Sequence, residues 1–132
     1  MRNTKKKGKF TIFTYPQKPN YFIGVCLEFD LITEGQTLVE AKENIFRASV
    51  SYLQTIIKNN LSDKLLNFPP DPKYLKEYTK LLKKRVRMIE KVKKEKRQKE
   101  KKLIPWEEYF SFQDVPYNPD FFKKLKKEKV CV

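Results

Sequence analysis

The chain has 132 residues, 30 Lys and Arg against 16 Asp and Glu, a formal net charge of +14, and no histidine. That length fits one domain with an appendage, and no apolar run approaches the roughly 18 residues of a membrane helix. Without histidine the chain lacks the side chain most used for general acid–base catalysis and for zinc ligation. Two distant cysteines, Cys26 and Cys131, cannot build a tetrahedral zinc site, and three glycines leave no Gly-rich phosphate loop. These exclusions favour a small non-enzymatic binding protein of a reducing, cytoplasmic compartment, with no metal and no cofactor.

The charge is unevenly placed. Residues 1–9 carry five Lys/Arg and no acid, whereas residues 10–71 carry five Lys/Arg against seven acids. Residues 72–102 hold fifteen Lys/Arg and four Glu, and residues 103–132 are balanced at five of each. Four segments follow: a basic arm (1–7), a mildly acidic folding unit (8–71), a basic helix (72–102) and an aromatic-rich tail (103–132).

Lys9 to Tyr15 is rich in β-branched and aromatic residues and predicts a strand that stops at Pro16, with Pro16–Asn20 as the turn. Tyr21 to Asp30 predicts a second strand with strict alternation. Tyr21, Ile23, Val25, Leu27 and Phe29 form a uniformly apolar face expected to meet the core. Leu31–Gln36 predicts a brief third strand ended by Gly35. Thr37-Leu38-Val39-Glu40 is a capping box, so a helix should start there and run to about Lys58, with Asn59 or Asn60 as its left-handed stop. Its apolar residues fall on two stripes. The second, Phe46, Val50, Leu53 and Ile57, is expected to need a partner of its own: a later helix, a second subunit of a homodimer, or another protein.

The run from Phe22 to Ala41 resembles the HicB-like antitoxin domain, over about residues 8–72. The matching positions are Cys26, Glu28, Thr33, Gly35, Thr37, Glu40 and Ala41, and Phe68-Pro69-Pro70-Asp71-Pro72 is similar to the Pro-rich turn after the family's helix. The family's central Pro-Gly is replaced by Asp30-Leu31-Ile32, which predicts a different turn there. The resemblance implies an antiparallel sheet with one helix across it, and a role in binding and neutralising a HicA-like RNA-cleaving toxin.

Asp71-Pro72 marks a further helix start, Asp at the cap and Pro in the first turn. Leu75, Tyr78, Leu82, Ile89 and Val92 keep helical spacing, Tyr74, Leu81, Val86 and Met88 widen the stripe, and Arg85 interrupts it. The apolar side is expected to pack on the second stripe of the preceding helix. The polar side, with Lys83, Lys84, Arg85, Arg87, Lys91, Lys93, Lys94, Lys96 and Arg97, offers non-specific contacts to RNA or DNA phosphates. Tyr109, Phe110, Phe112, Tyr117, Phe121 and Phe122 then make the tail too aromatic for disorder. It should dock on the sheet or on a partner; the first alternative has it return to the domain and pair a short strand near Tyr109–Val115, with Lys123–Val132 fraying.

The sequence therefore predicts an α+β fold: a three- or four-stranded antiparallel sheet with one packed helix, a long basic helix and an aromatic tail. The function expected is that of a HicB-like interaction protein that also touches nucleic acid. The alternative is a stand-alone RNA- or ribosome-associated protein on the same scaffold. A nuclease built on Glu28, Asp30 and Glu34 is a third and weaker reading.

Overall fold

The computed structural model describes residues 2–96 and 110–127. Four strands, β1 (Gly8–Lys18), β2 (Tyr21–Cys26), β3 (Leu31–Gly35) and β4 (Ser111–Tyr117), form one antiparallel sheet in the order β3-β2-β1-β4. Helix α1 (Leu38–Lys58) covers one face and α2 (Pro72–Lys96) the other; a 3₁₀ turn (Asp63–Leu66) and α3 (Phe121–Lys127) complete the described chain. The coarse α+β reading stands. The tail supplies the fourth strand, which pairs β1 from Gly8↔Tyr117 to Thr14↔Ser111.

Both sheet faces are apolar, and each has its own core. Phe10 and Ile12 of β1, Cys26 of β2 and Val115 and Tyr117 of β4 meet Ile45, Val50, Leu53 and Ile56 of α1. Phe13, Tyr15, Ile23 and Val25 point the other way and meet Leu81, with Tyr74, Tyr78 and Met88 around it. β2 stops at Cys26, short of the Asp30 expected, because the chain turns at Asp30 and carries Phe29 into the α1 core; Tyr21, Ile23, Val25 and Leu27 belong to α2, while α1 takes the Gly24/Cys26 face. Glycine explains that choice. A Cβ on Gly24 would lie 2.9 Å from the Ile45 Cβ, and one on Gly35 would lie 2.6 Å from the Ala41 amide nitrogen. Only Cβ-free positions let the helix backbone approach so closely.

Helix α1 begins as expected. Thr37 is its cap, and the Glu40 N–H donates to Thr37 Oγ1 at 3.1 Å. Asn60, just beyond its end, is left-handed at φ 48°, and Asp30 takes φ 53° in the turn before β3. Three expectations are corrected. β1 runs through Pro16, which pairs with Phe22; β4 ends its pairing at Thr14, so no second neighbour requires an N–H from Pro16. Helix α2 lies across the sheet from α1 instead of on its second stripe. That stripe also needs no outside partner: Val50 and Leu53 are fully buried in this chain's own core, and Phe46 and Ile57 pack against it half-buried. The fourth strand, Leu65 of the 3₁₀ turn, and Phe121 and Phe122 widen the cover beyond what a three-stranded sheet offers.

The basic arm is tied down. Asn3 is buried, its N–H donates to Asn67 Oδ1 at 2.7 Å and its amide Nδ2 donates to the Leu66 carbonyl at 3.0 Å. Lys5 pairs with Asp63 at 2.8 Å and draws its carboxyl below the ordinary range. The Tyr117 hydroxyl donates to the Thr4 carbonyl at 2.8 Å, which links β4 to the arm. The tail is helical as far as Lys127, beyond the Lys123 start foreseen for fraying.

Candidate nucleic-acid interface

Helix α2 starts at Pro72. Asp71 accepts from the Lys73 N–H through Oδ1 at 2.9 Å, as the Asp-Pro pair implied. Tyr74, Tyr78, Leu81, Arg85 and Met88, spaced 4, 3, 4, 3, form its sheet-facing stripe. Aromatic contacts hold it there. Tyr78 lies 5.2 Å from Phe13 and 5.5 Å from Phe112 between ring centroids, and the Arg85 guanidinium sits 5.8 Å above the Phe112 ring. The charge that interrupted the apolar stripe is thus accommodated on an aromatic face, and Arg85 belongs to the inner contact more than to the outer surface.

Beside that stripe runs a groove of about 790 Å³, lined along α2 by Lys73, Lys76, Lys80, Lys84 and Arg87, with Glu77 the one carboxylate among the described lining residues. The five cations are spaced 3, 4, 4, 3 and so fall on one side of the helix. They extend over about 21 Å at 1.5 Å per residue. The opposite wall is Tyr15, Pro16 and Gln17 at the end of β1, with Phe110 just before β4. Tyr15 is 7% and Phe110 0% exposed, and the Lys84 ammonium lies 6.0 Å over the Phe110 ring. Burial, with Glu77 nearby, pushes the Tyr15 phenol up to about 12, so it adds no negative charge to the groove at neutral pH.

The arrangement suits a phosphate backbone, and among the described residues its aromatic rings, Tyr15 and Phe110, are buried and offer bases no open face for stacking. Of the residues expected to meet nucleic acid, Lys84 and Arg87 line the groove, and Lys91 continues its spacing on an exposed position. Lys83 is exposed on the outward side of α2. Lys93, Lys94 and Lys96 lie in the last turns of α2, and Arg97 lies outside the described residues. Sequence reasoning passed over Lys73, Lys76 and Lys80, although the 3, 4, 4, 3 spacing was legible. The Tyr15 and Phe110 wall is a product of tertiary structure alone.

The acidic candidates are not brought together. Glu28 accepts from the Thr11 N–H at 2.7 Å and from its hydroxyl at 3.0 Å, a strand-bracing role. Glu34 accepts from the Tyr21 hydroxyl at 2.6 Å, and Asp30 turns the chain. Among the described residues no three His, Cys, Asp or Glu are grouped as metal ligands. Cys26 is fully buried, and burial pushes its thiol up to about 12, far from a reactive thiolate at neutral pH. No helix among the described residues is long and apolar enough to cross a membrane. Comparisons of the chain with protein-family models, curated proteins and solved structures find no match.

Proposed function

We propose that the chain is a non-catalytic binding protein of HicB-like type that grips a nucleic-acid backbone along the α2 groove. The observation that carries this is the row Lys73, Lys76, Lys80, Lys84, Arg87, five cations against one carboxylate among the described lining residues, over about 21 Å of helix. With Tyr15 and Phe110 buried in the groove wall, the contact is backbone-directed and indifferent to sequence. The HicB-like scaffold is supported by the residues that carried the resemblance: Thr37 caps α1, and Gly35 gives the Ala41 backbone room to approach. Neutralisation of a HicA-like toxin is the second half of the proposal. It is tested by recovery of a small ribonuclease with the tagged chain after nuclease treatment. If only ribosomal or RNA-dependent partners are recovered, the scaffold serves nucleic acid alone.

Five phosphate contacts predict a slope of log affinity against log salt of about −3.5 for a single strand and about −4.5 for a duplex. The measurement is anisotropy of a labelled oligonucleotide from 50 to 200 mM salt. Lys80→Glu with Lys84→Glu should reduce the slope by about 1.5 to 2. An unchanged slope in that variant would place binding elsewhere, and a strong preference among unrelated sequences would contradict backbone readout.

A further inference from the structure

Helix α2 carries a second apolar stripe that neither core uses. Leu75, Thr79, Leu82, Val86 and Ile89 repeat at 4, 3, 4, 3 spacing, the seam of a two-helix coiled coil. The stripe lies about 100° round the axis from the sheet-facing residues, and the cation row lies about 120° round on the other side. Leu75 is 42% and Val86 54% exposed, Leu82 and Ile89 are half-buried, and among the described residues none of the five belongs to either core. The Thr79 hydroxyl donates to the Leu75 carbonyl at 3.0 Å, so an apolar neighbour would leave no donor unmet there. A helix resting on a sheet needs one apolar stripe, and this one has two.

We infer that this seam docks an amphipathic helix of a partner protein whose own apolar stripe is edged by Asp and Glu. Charge decides the occupant. Immediately after the seam residues Leu75, Leu82 and Ile89 stand Lys76, Lys83 and Glu90, positions that set partner choice in coiled coils. Helix α2 as a whole carries eleven Lys/Arg against three Glu. A second copy would bring two helices of this net charge together, and a basic partner helix would meet the same repulsion; an acid-edged helix meets attraction at Lys76 and Lys83 against repulsion at Glu90. The seam and the groove occupy different arcs of α2 and share Lys76 alone, so a partner helix and a nucleic acid can be held at once, and failure of one surface leaves the rest of the other standing.

The test uses the full chain at physiological salt and three labelled helical peptides. One has a leucine heptad edged by Glu, one the same heptad edged by Lys, and one the Glu edges with serine along the seam. The first should bind at least tenfold more tightly than either control. Leu82→Ser with Val86→Ser should abolish that difference while oligonucleotide affinity changes less than twofold; Val86→Ser alone, at the more exposed position, gives a milder version in a fold least disturbed. Equal binding of the serine-seam peptide would reduce the effect to bulk charge and overturn the inference. So would a concentration-dependent dimer, by sedimentation, that the double variant abolishes, because the seam would then belong to a second copy. A double variant that melts many degrees lower, from a parent that binds no peptide, would assign the seam to this chain's own packing and overturn it equally.

Discussion

The two faces of the sheet use helices in opposite ways. On one face α1 is pressed against the strands, with Ala41, Ile45, Ser49, Val50, Leu53 and Ile56 all buried and two glycines clearing its path. On the other face α2 rests on a row of aromatic rings, and Leu81 is its one side chain buried to 7% or below among those described. Helix α1 carries three Lys/Arg against two Glu, while α2 carries eleven against three. One helix has most of its surface committed to the fold. The other has two of three arcs left over, one cationic and one apolar, and surplus patterned surface of that kind points to binding.

Substitutions should separate the faces, beginning with the largest effect. Leu53→Ala, fully buried under α1, should cost about 2–5 kcal/mol in urea unfolding. Gly35→Ala forces a Cβ onto the Ala41 backbone and should cost about 1–3 kcal/mol. If either is tolerated without loss, α1 is not packed as described. Lys80→Glu with Lys84→Glu removes exposed charge and should leave stability within about 0.5 kcal/mol per site while oligonucleotide binding falls; a large drop in stability would give the groove a structural role.

Titration gives a third, smaller contrast. The Tyr15 phenol is raised to about 12 in the fold against an ordinary value near 10, and burial also raises Tyr117. A folded-state value above the unfolded one means stability fully present below pH 10 and lost as pH rises towards 12. Tyr15→Phe should flatten that decline in a series of melting curves. An identical slope in the variant would show that Tyr15 ionises no differently in the fold. The smallest signal is chemical. With Cys131→Ser in place, Cys26 should stay unreactive to a thiol reagent at pH 8 until the chain unfolds, and rapid labelling of the folded chain would contradict its burial.

Local signals were legible in the sequence and packing partners were not. The Thr37 cap, the Asp71-Pro72 start and the alternation of β2 each depend on neighbours within four residues; the first two appear where expected, and the alternation holds from Tyr21 to Leu27 but not at Phe29. An apolar stripe says only that something covers it, not what does. The apolar face of β2 is expected only to meet the core, and it is the clearance at Gly24 and Gly35 that gives α1 the other face. The same gap left Val50 and Leu53 looking unpartnered until β4, from the distant tail, widened the sheet. In the candidate site the cation spacing was present to be read, but its wall at Tyr15 and Phe110 exists only once β1 and β4 are paired.

Lysine-reactivity footprinting with and without a bound oligonucleotide tests the division of labour most directly. Protection should concentrate on Lys73, Lys76, Lys80 and Lys84, with Lys42 and Lys58 of the opposite helix unchanged. Uniform protection of all lysines, or protection confined to the arm around Lys5–Lys7, would contradict the account.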